Sequence, residues 1–185
     1  MNLTQMAREC VAEFASQKLC RLAIDATCGN GRDTLNLAKS LIAPSKIFAF
    51  DIQQSAIDAT RRLLAESGLS NCAQLFRQSH ACMAESIASE FHGKINIAVF
   101  NLGWLPRSDK SVVTKPASTI AALESLEALL DKSKNLVSLI SYRGHEGGEE
   151  EFEAVKDYLA RFKPEIYTDS ANPKSPVLFL YSLKG

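Results

Sequence analysis

Leu3, Met6, Ala7, Cys10, Val11 and Phe14 recur at the spacing of one helical face, which predicts an amphipathic helix over about residues 1–18. Arg21 to Ala26 is a short apolar run that ends in a turn, the first strand. Thr34 to Ile42 returns to helical spacing and Pro44 stops it. Lys46 to Phe50 reads as a buried strand and Ser55 to Glu66 as a helix, closed by Ser67-Gly68. Ala73 to Phe76 is a third strand, followed by a helical stretch from Met83 to Phe91. Ile95 to Phe100 is continuously apolar, as a strand buried on both faces would be. Beyond a Gly-, Pro- and Ser-bearing loop from Asn101 to Pro116, Ile120, Leu123, Leu126, Leu129 and Leu130 mark a helix. Asn135 to Ser141 is a fifth strand, Glu149 to Phe162 a helix, and Glu165 to Tyr167 with Pro176 to Leu183 two further strands.

Five βα units and a terminal strand pair require a mostly parallel sheet with helices on both faces, because parallel neighbours need crossover connections. No internal repeat or composition break divides the 185 residues, so one domain over 1–185 is expected. The absence of a run of ~20 apolar residues argues against a membrane span, and the alternating N-terminal segment does not read as a secretory signal. A cytoplasmic location is therefore expected. Five cysteines with no CxxC pair argue against a disulfide framework and a zinc site, so no metal is expected. Lys plus Arg equals Asp plus Glu at 21 each, so any nucleic-acid surface has to be a local patch.

The first strand runs into Asp25-Ala26-Thr27-Cys28-Gly29-Asn30-Gly31-Arg32-Asp33. Gly29 and Gly31 suit a strand that turns sharply into a helix while a ligand approaches the backbone. Asp51 closes the second strand about 20 residues later, where an acid accepts from a ribose diol in such folds. A ligand-free tight turn and a dinucleotide site are the alternatives. Thr34 stands where the dinucleotide pattern needs glycine, and Asp33 would repel a pyrophosphate from the helix start. An acidic loop suits a cofactor carrying an ammonium and a sulfonium, which favours S-adenosylmethionine.

Asn101-Leu102-Gly103-Trp104 ends the fourth strand, on the edge where open α/β sheets bind ligands. An Asn oxygen can accept from an amine and aim its lone pair, and an aromatic ring can stack on a flat base. Core packing for Trp104 and a turn-forming role for Asn101 are the plainer readings. Arg107, Lys110, Lys115 and Arg143 would make a cationic rim for phosphates, or simply a solvated surface. His80 follows the third strand near the expected adenine edge. His145 lies among glycines at the end of the fifth, on the same active face, whereas His92 looks structural.

DATCGNGRDTLNLA, FDIQQSAI, SHACM, FNLGWLPRSDKSVVTKPASTIAALESL, YRGHEGGEEEFEAV and NPKSPVLFL together resemble a bacterial family once labelled rRNA methylases. Its members include the tRNA wobble-uridine methyltransferase MnmM. The resemblance spans about Leu22 to Leu180 and departs at Arg107-Ser108 and Ser175-Pro176. It implies a Rossmann-like methyltransferase fold with a seven-stranded sheet, S-adenosylmethionine as cofactor and tRNA, at its anticodon stem-loop, as partner. It also implies methylation of 5-aminomethyl-uridine, or its 2-thio form, to the 5-methylaminomethyl product. On matching positions, Asp25, Gly29, Asn30, Gly31 and Asp33 fall in the cofactor loop, Asp51 and Gln53 on the ribose side, and Ser79 and His80 on the adenine side. Asn101, Gly103, Trp104, Asp109 and Lys110 match the substrate loop, and His145 the last block. Asn101 is then the amine acceptor, with a further contact to the cofactor, and Asp33 or His145 the group that receives the proton. An rRNA or small-amine substrate, or a silent adenosyl-ligand-binding module, is the competing reading. A homodimer is an admissible assembly.

Overall fold

A computed structural model describes residues 2–104, 113–169, 172 and 174–184; Arg107, Asp109 and Lys110 lie outside them. The strands β1 (Leu22–Asp25), β2 (Lys46–Phe50), β3 (Ala73–Phe76), β4 (Ile97–Leu102), β5 (Leu136–Ser141), β6 (Glu165–Thr168) and β7 (Val177–Tyr181) form one sheet in the order β3-β2-β1-β4-β5-β7-β6. The first five are parallel, and β7 runs antiparallel to both β5 and β6. The order reverses between β1 and β4, and the loops leaving the two strands diverge there to open a crevice at their carboxyl ends.

The helices are α1 (Leu3–Gln17), α2 (Arg32–Ser40), α3 (Gln54–Glu66), the single turn α4 (Met83–Ser86), α5 (Pro116–Leu129) and α6 (Gly148–Leu159). Asn2 caps α1 by accepting from the Gln5 N–H at 3.1 Å. One face of the sheet buries Ala23, Ile47, Ala49, Ile97 and Val99 under Val11, Leu37, Ile57 and Leu64 of α1–α3. The other buries Ile24, Phe48, Phe50, Phe100 and Leu139 under α4, α5 and α6. Each of these large side chains contributes roughly 1.5–3 kcal/mol relative to exposure, more than any exposed ion pair such as Arg61–Asp58 at about 0–1 kcal/mol. Burial of alternate strand positions on opposite faces therefore sets the architecture.

Three boundaries differ from the sequence reading. The stretch from Met83 to Phe91 is not one helix: α4 ends where Ile87 turns extended and enters the core, and Ser89–Phe91 make a separate 3₁₀ turn. α2 stops at Ser40, with Leu41 extended and the Ile42 N–H donating to the Cys20 carbonyl at 2.9 Å. β4 begins two residues late and runs through Asn101 and Leu102, while Ile95 forms only an isolated bridge to Leu130. Asn101 is thus a paired strand residue, in register with Ile140. Among the described residues no helix is long and apolar enough to cross a membrane.

Candidate functional site

The loop after β1 is built around Asp25, which is fully buried. Its Oδ2 accepts from the Thr34 hydroxyl at 2.6 Å and its Oδ1 from the Thr27 N–H at 3.3 Å. Burial, reinforced by the negative Asp33 nearby, pushes the Asp25 carboxyl up to about 7. Asp25 therefore lies beneath the loop and braces it, with both oxygens engaged. Gly31 shows what its missing side chain is for. Its φ is +78°, and a Cβ would sit 2.8 Å from Thr60 Cα, so α3 takes the space that sequence reasoning reserved for a ligand. The Thr60 hydroxyl donates to the Gly29 carbonyl at 3.1 Å and locks the same contact. Asn30 stands exposed at the tip.

Asp51, after β2, accepts from the Gly29 N–H at 3.0 Å and the Gln53 N–H at 2.9 Å, and partial burial raises its carboxyl pKa. A carboxylate has about four lone-pair sites, so two remain for the hydroxyls of a diol. Next to it Ile52 is 55% exposed, an apolar side chain held at the crevice rim. No periodicity singles it out; only its place after Asp51 could have. Ser79 accepts from the Ala81 N–H at 3.2 Å and caps a 3₁₀ turn. His80 is 7% exposed, stacks edge-on against Phe100 at 6.2 Å, and has its pKa pushed down to about 4 by burial. Its ring is thus neutral, with Nε2 lacking a partner among the described residues.

On the β4 side, the Asn101 N–H donates to the Thr27 hydroxyl oxygen at 2.7 Å, tying the two loops together. The Asn101 Nδ2 donates to Asp33 Oδ2 at 2.8 Å, and the Arg8 Nε donates to Asp33 Oδ1 at 2.6 Å. Because a carboxylate only accepts, this bond fixes which end of the amide faces Asp33. The Asn101 oxygen is left free of hydrogen bonds among the described residues. Thr4, Arg8, Asp33, Asn36, Phe100 and Asn101 line a small crevice between α1 and these strand ends. Arg8 is a residue the sequence reading missed, since nothing local joins positions 8 and 33.

Trp104 is half-buried, so it belongs to neither the core nor open solvent; its ring meets His145 edge-on at 4.9 Å. The His145 Nδ1 lies 2.9 Å from the Glu146 carbonyl and donates to it. Its Nε2 is buried with no partner among the described residues, close to Gly103 and Gly148. Arg143 is not a free phosphate ligand here: it forms a bidentate pair with Glu149 and lies over the Phe152 ring. Gly103 hydrogen-bonds Thr114, whose hydroxyl reaches Glu151, two residues sequence reasoning left without a role. Among the described residues no group of three His, Cys, Asp or Glu could hold a metal ion.

A switch-point crevice with a glycine turn after β1, an acid after β2 and Asn101 at the end of β4, on a sheet of this order, defines the Rossmann-like methyltransferase class. The chain belongs to the family described as "Putative rRNA methylase", whose model matches residues 47–172. A curated relative from Arabidopsis thaliana, named chloroplastic tRNA (mnm(5)s(2)U34)-methyltransferase, is 39% identical over 143 residues, 73% of this chain. The chain spans about half the length of that relative, 51%. Among solved structures, an rRNA-methylase from Clostridium thermocellum matches with a TM-score of 0.89 at 29% identity, covering 98% of this chain and 97% of that one. A methyltransferase from Streptococcus mutans, solved in complex with SAH, matches with a TM-score of 0.80 at 30% identity, covering 94% and 96%.

Proposed function

We propose that this chain is an S-adenosylmethionine-dependent methyltransferase that methylates the exocyclic amine of 5-aminomethyl-uridine, or its 2-thio form, at the wobble position of tRNA. The observation that carries the reading is the Asn101–Asp33 bond, which holds an acceptor oxygen free at the end of β4 beside the Trp104-bearing loop. The Streptococcus mutans structure with SAH and the name of the Arabidopsis relative support the cofactor and the substrate.

The residues present fit that cofactor. Asp51 has spare acceptor sites for the ribose diol, and exposed Ile52 offers an apolar surface to the adenine. When bound, the cofactor supplies an electrophilic methyl on sulfur. The chain supplies position and a dry setting. An alkylammonium like that of Lys has pKa ~10.4, so presenting it neutral near pH 7 costs roughly 4–5 kcal/mol. A crevice that excludes water lowers this cost, and the Asn101 oxygen accepts from the amine and orients it. Asp33 is engaged by Arg8 and Asn101, whereas His145 Nε2 has no partner among the described residues, and we assign proton acceptance to His145. The base stacks on Trp104.

With zero net charge, tRNA contact falls to local cations. Arg32, Arg77 and Lys115 are exposed at the carboxyl edge, and they would approach the anticodon stem-loop backbone. A cytoplasmic location is part of this proposal, although the Arabidopsis relative is named chloroplastic. The test is nucleoside mass spectrometry of tRNA bearing 5-aminomethyl-uridine after incubation with the protein and cofactor. Conversion to the methylaminomethyl nucleoside is expected. An unchanged wobble nucleoside, with SAH binding intact, would reject the substrate and leave the cofactor reading standing.

A further inference from the structure

Glu151, in the first turn of α6, is 1% exposed and has no cationic partner among the described residues. Burying a carboxylate is costly unless hydrogen bonds replace its water. Here two hydroxyls do so: Thr114 Oγ1 donates to Oε2 at 2.6 Å, and Thr119 Oγ1 to Oε1 at 2.7 Å. These lengths are those of charge-assisted O–H···O⁻ bonds. With its proton committed to Glu151, the Thr114 oxygen accepts from the Gly103 N–H at 2.9 Å. The Thr114 N–H donates back to the Gly103 carbonyl at 3.1 Å.

Gly103 sits between the end of β4 and Trp104, and its φ of +145° is open to glycine and few others. Trp104 itself bridges Val113. One carboxylate on α6 thus commits the Thr114 hydroxyl proton and leaves its oxygen to receive the Gly103 N–H. A glutamine offers one acceptor oxygen and an NH₂ that only donates, so it cannot accept from both threonine hydroxyls and one of them has to turn. An apolar residue of similar size would serve α6 packing as well or better, whereas a fully satisfied polar network specifies one arrangement.

We propose that Glu151 is a positioning residue for the substrate loop, acting through the Thr114 hydroxyl and the Gly103 amide to fix where Trp104 presents its ring. The kinetic consequence rests on the methyl-transfer reading above; the structural consequence does not. Trp104 is the sole tryptophan of the chain, so its fluorescence reports the loop directly. In Glu151→Gln and Thr114→Val, its emission should shift and its quenching by acrylamide rise. Turnover should fall about ten-fold while SAH affinity stays within about two-fold. The double variant should be no worse than the worse single one, and Thr114→Ser, which keeps the hydroxyl, should match wild type. Unchanged Trp104 fluorescence in folded Glu151→Gln and Thr114→Val would overturn the proposal, as would a Thr114→Ser as impaired as Thr114→Val. Should Glu151→Gln not fold, Thr114→Val decides alone, since it breaks the relay and leaves Glu151 bonded to Thr119. If the wild type transfers no methyl to tRNA, the functional reading fails, and the fluorescence still decides this one.

Discussion

The two edges of the parallel strands differ in how many buried polar groups they leave unpaired. At the amino edge, the Asn96 oxygen accepts from the Arg21 and Leu22 N–H groups, and its Nδ2 donates to the Lys134 carbonyl. Asn135 donates to the Asp131 and Leu183 carbonyls and accepts from the Leu183 N–H. At the carboxyl edge, His80 Nε2, His145 Nε2 and Ser141 Oγ are buried with no partner among the described residues, while Asp25 and Glu151 are fully bonded. Tyr181 Oη, under the stacked Phe162, is the exception on the first edge. An unpaired buried group costs about 1–3 kcal/mol, and such costs gather where a ligand is to be met. Polar residues that close a sheet and polar residues that wait for a partner can be told apart by this difference.

Mutation should separate the edges. Asn101→Ala is expected to lower turnover by about a hundred-fold or more while SAH affinity holds within a few-fold, because the amine loses the acceptor that orients it. Steady-state kinetics beside calorimetry checks this, and parallel loss of cofactor binding would move Asn101 out of the substrate role. Asn135→Ala should do the reverse. It strands the Leu183 N–H and costs about 1–3 kcal/mol in urea unfolding, with SAH affinity unchanged. A third effect is read as a pH slope and concerns Asp25, whose folded pKa is raised. Its contribution to stability is full below the unfolded value near 4 and is lost as pH rises through about 7. Asp25→Asn, neutral throughout, should flatten the decline in unfolding free energy between about pH 4 and about pH 7. An unaltered slope would show that Asp25 is charged in the fold.

Much of this was legible along the chain. The alternation of apolar strands with helical faces sets five βα units and a terminal pair, because burial on each face dictates the period. Gly29, Gly31 and Asp51 were legible from their spacing, and the carboxyl-edge location of Asn101 and Trp104 from the strand before them. What local pattern cannot carry is contact across the fold. Arg8 meets Asp33 and Thr60 meets Gly31 because α1 and α3 pack on α2, and Thr114 meets Glu151 because α6 lies against the start of α5. Arg143 illustrates the converse. Its sequence suggested a free cation, yet Glu149, six residues on, claims it once α6 begins at Gly148.

The proposed function requires the crevice between β1, β2 and β4 to hold an adenosyl cofactor through Asp51. Isothermal titration of the wild-type chain and of Asp51→Ala with S-adenosylhomocysteine tests this most directly. The prediction is saturable one-to-one binding by the wild type and affinity weakened by about ten-fold or more in the variant, since a charge-accepted pair of hydroxyl bonds is lost. No binding by the wild type, or equal affinity in both proteins, would contradict it.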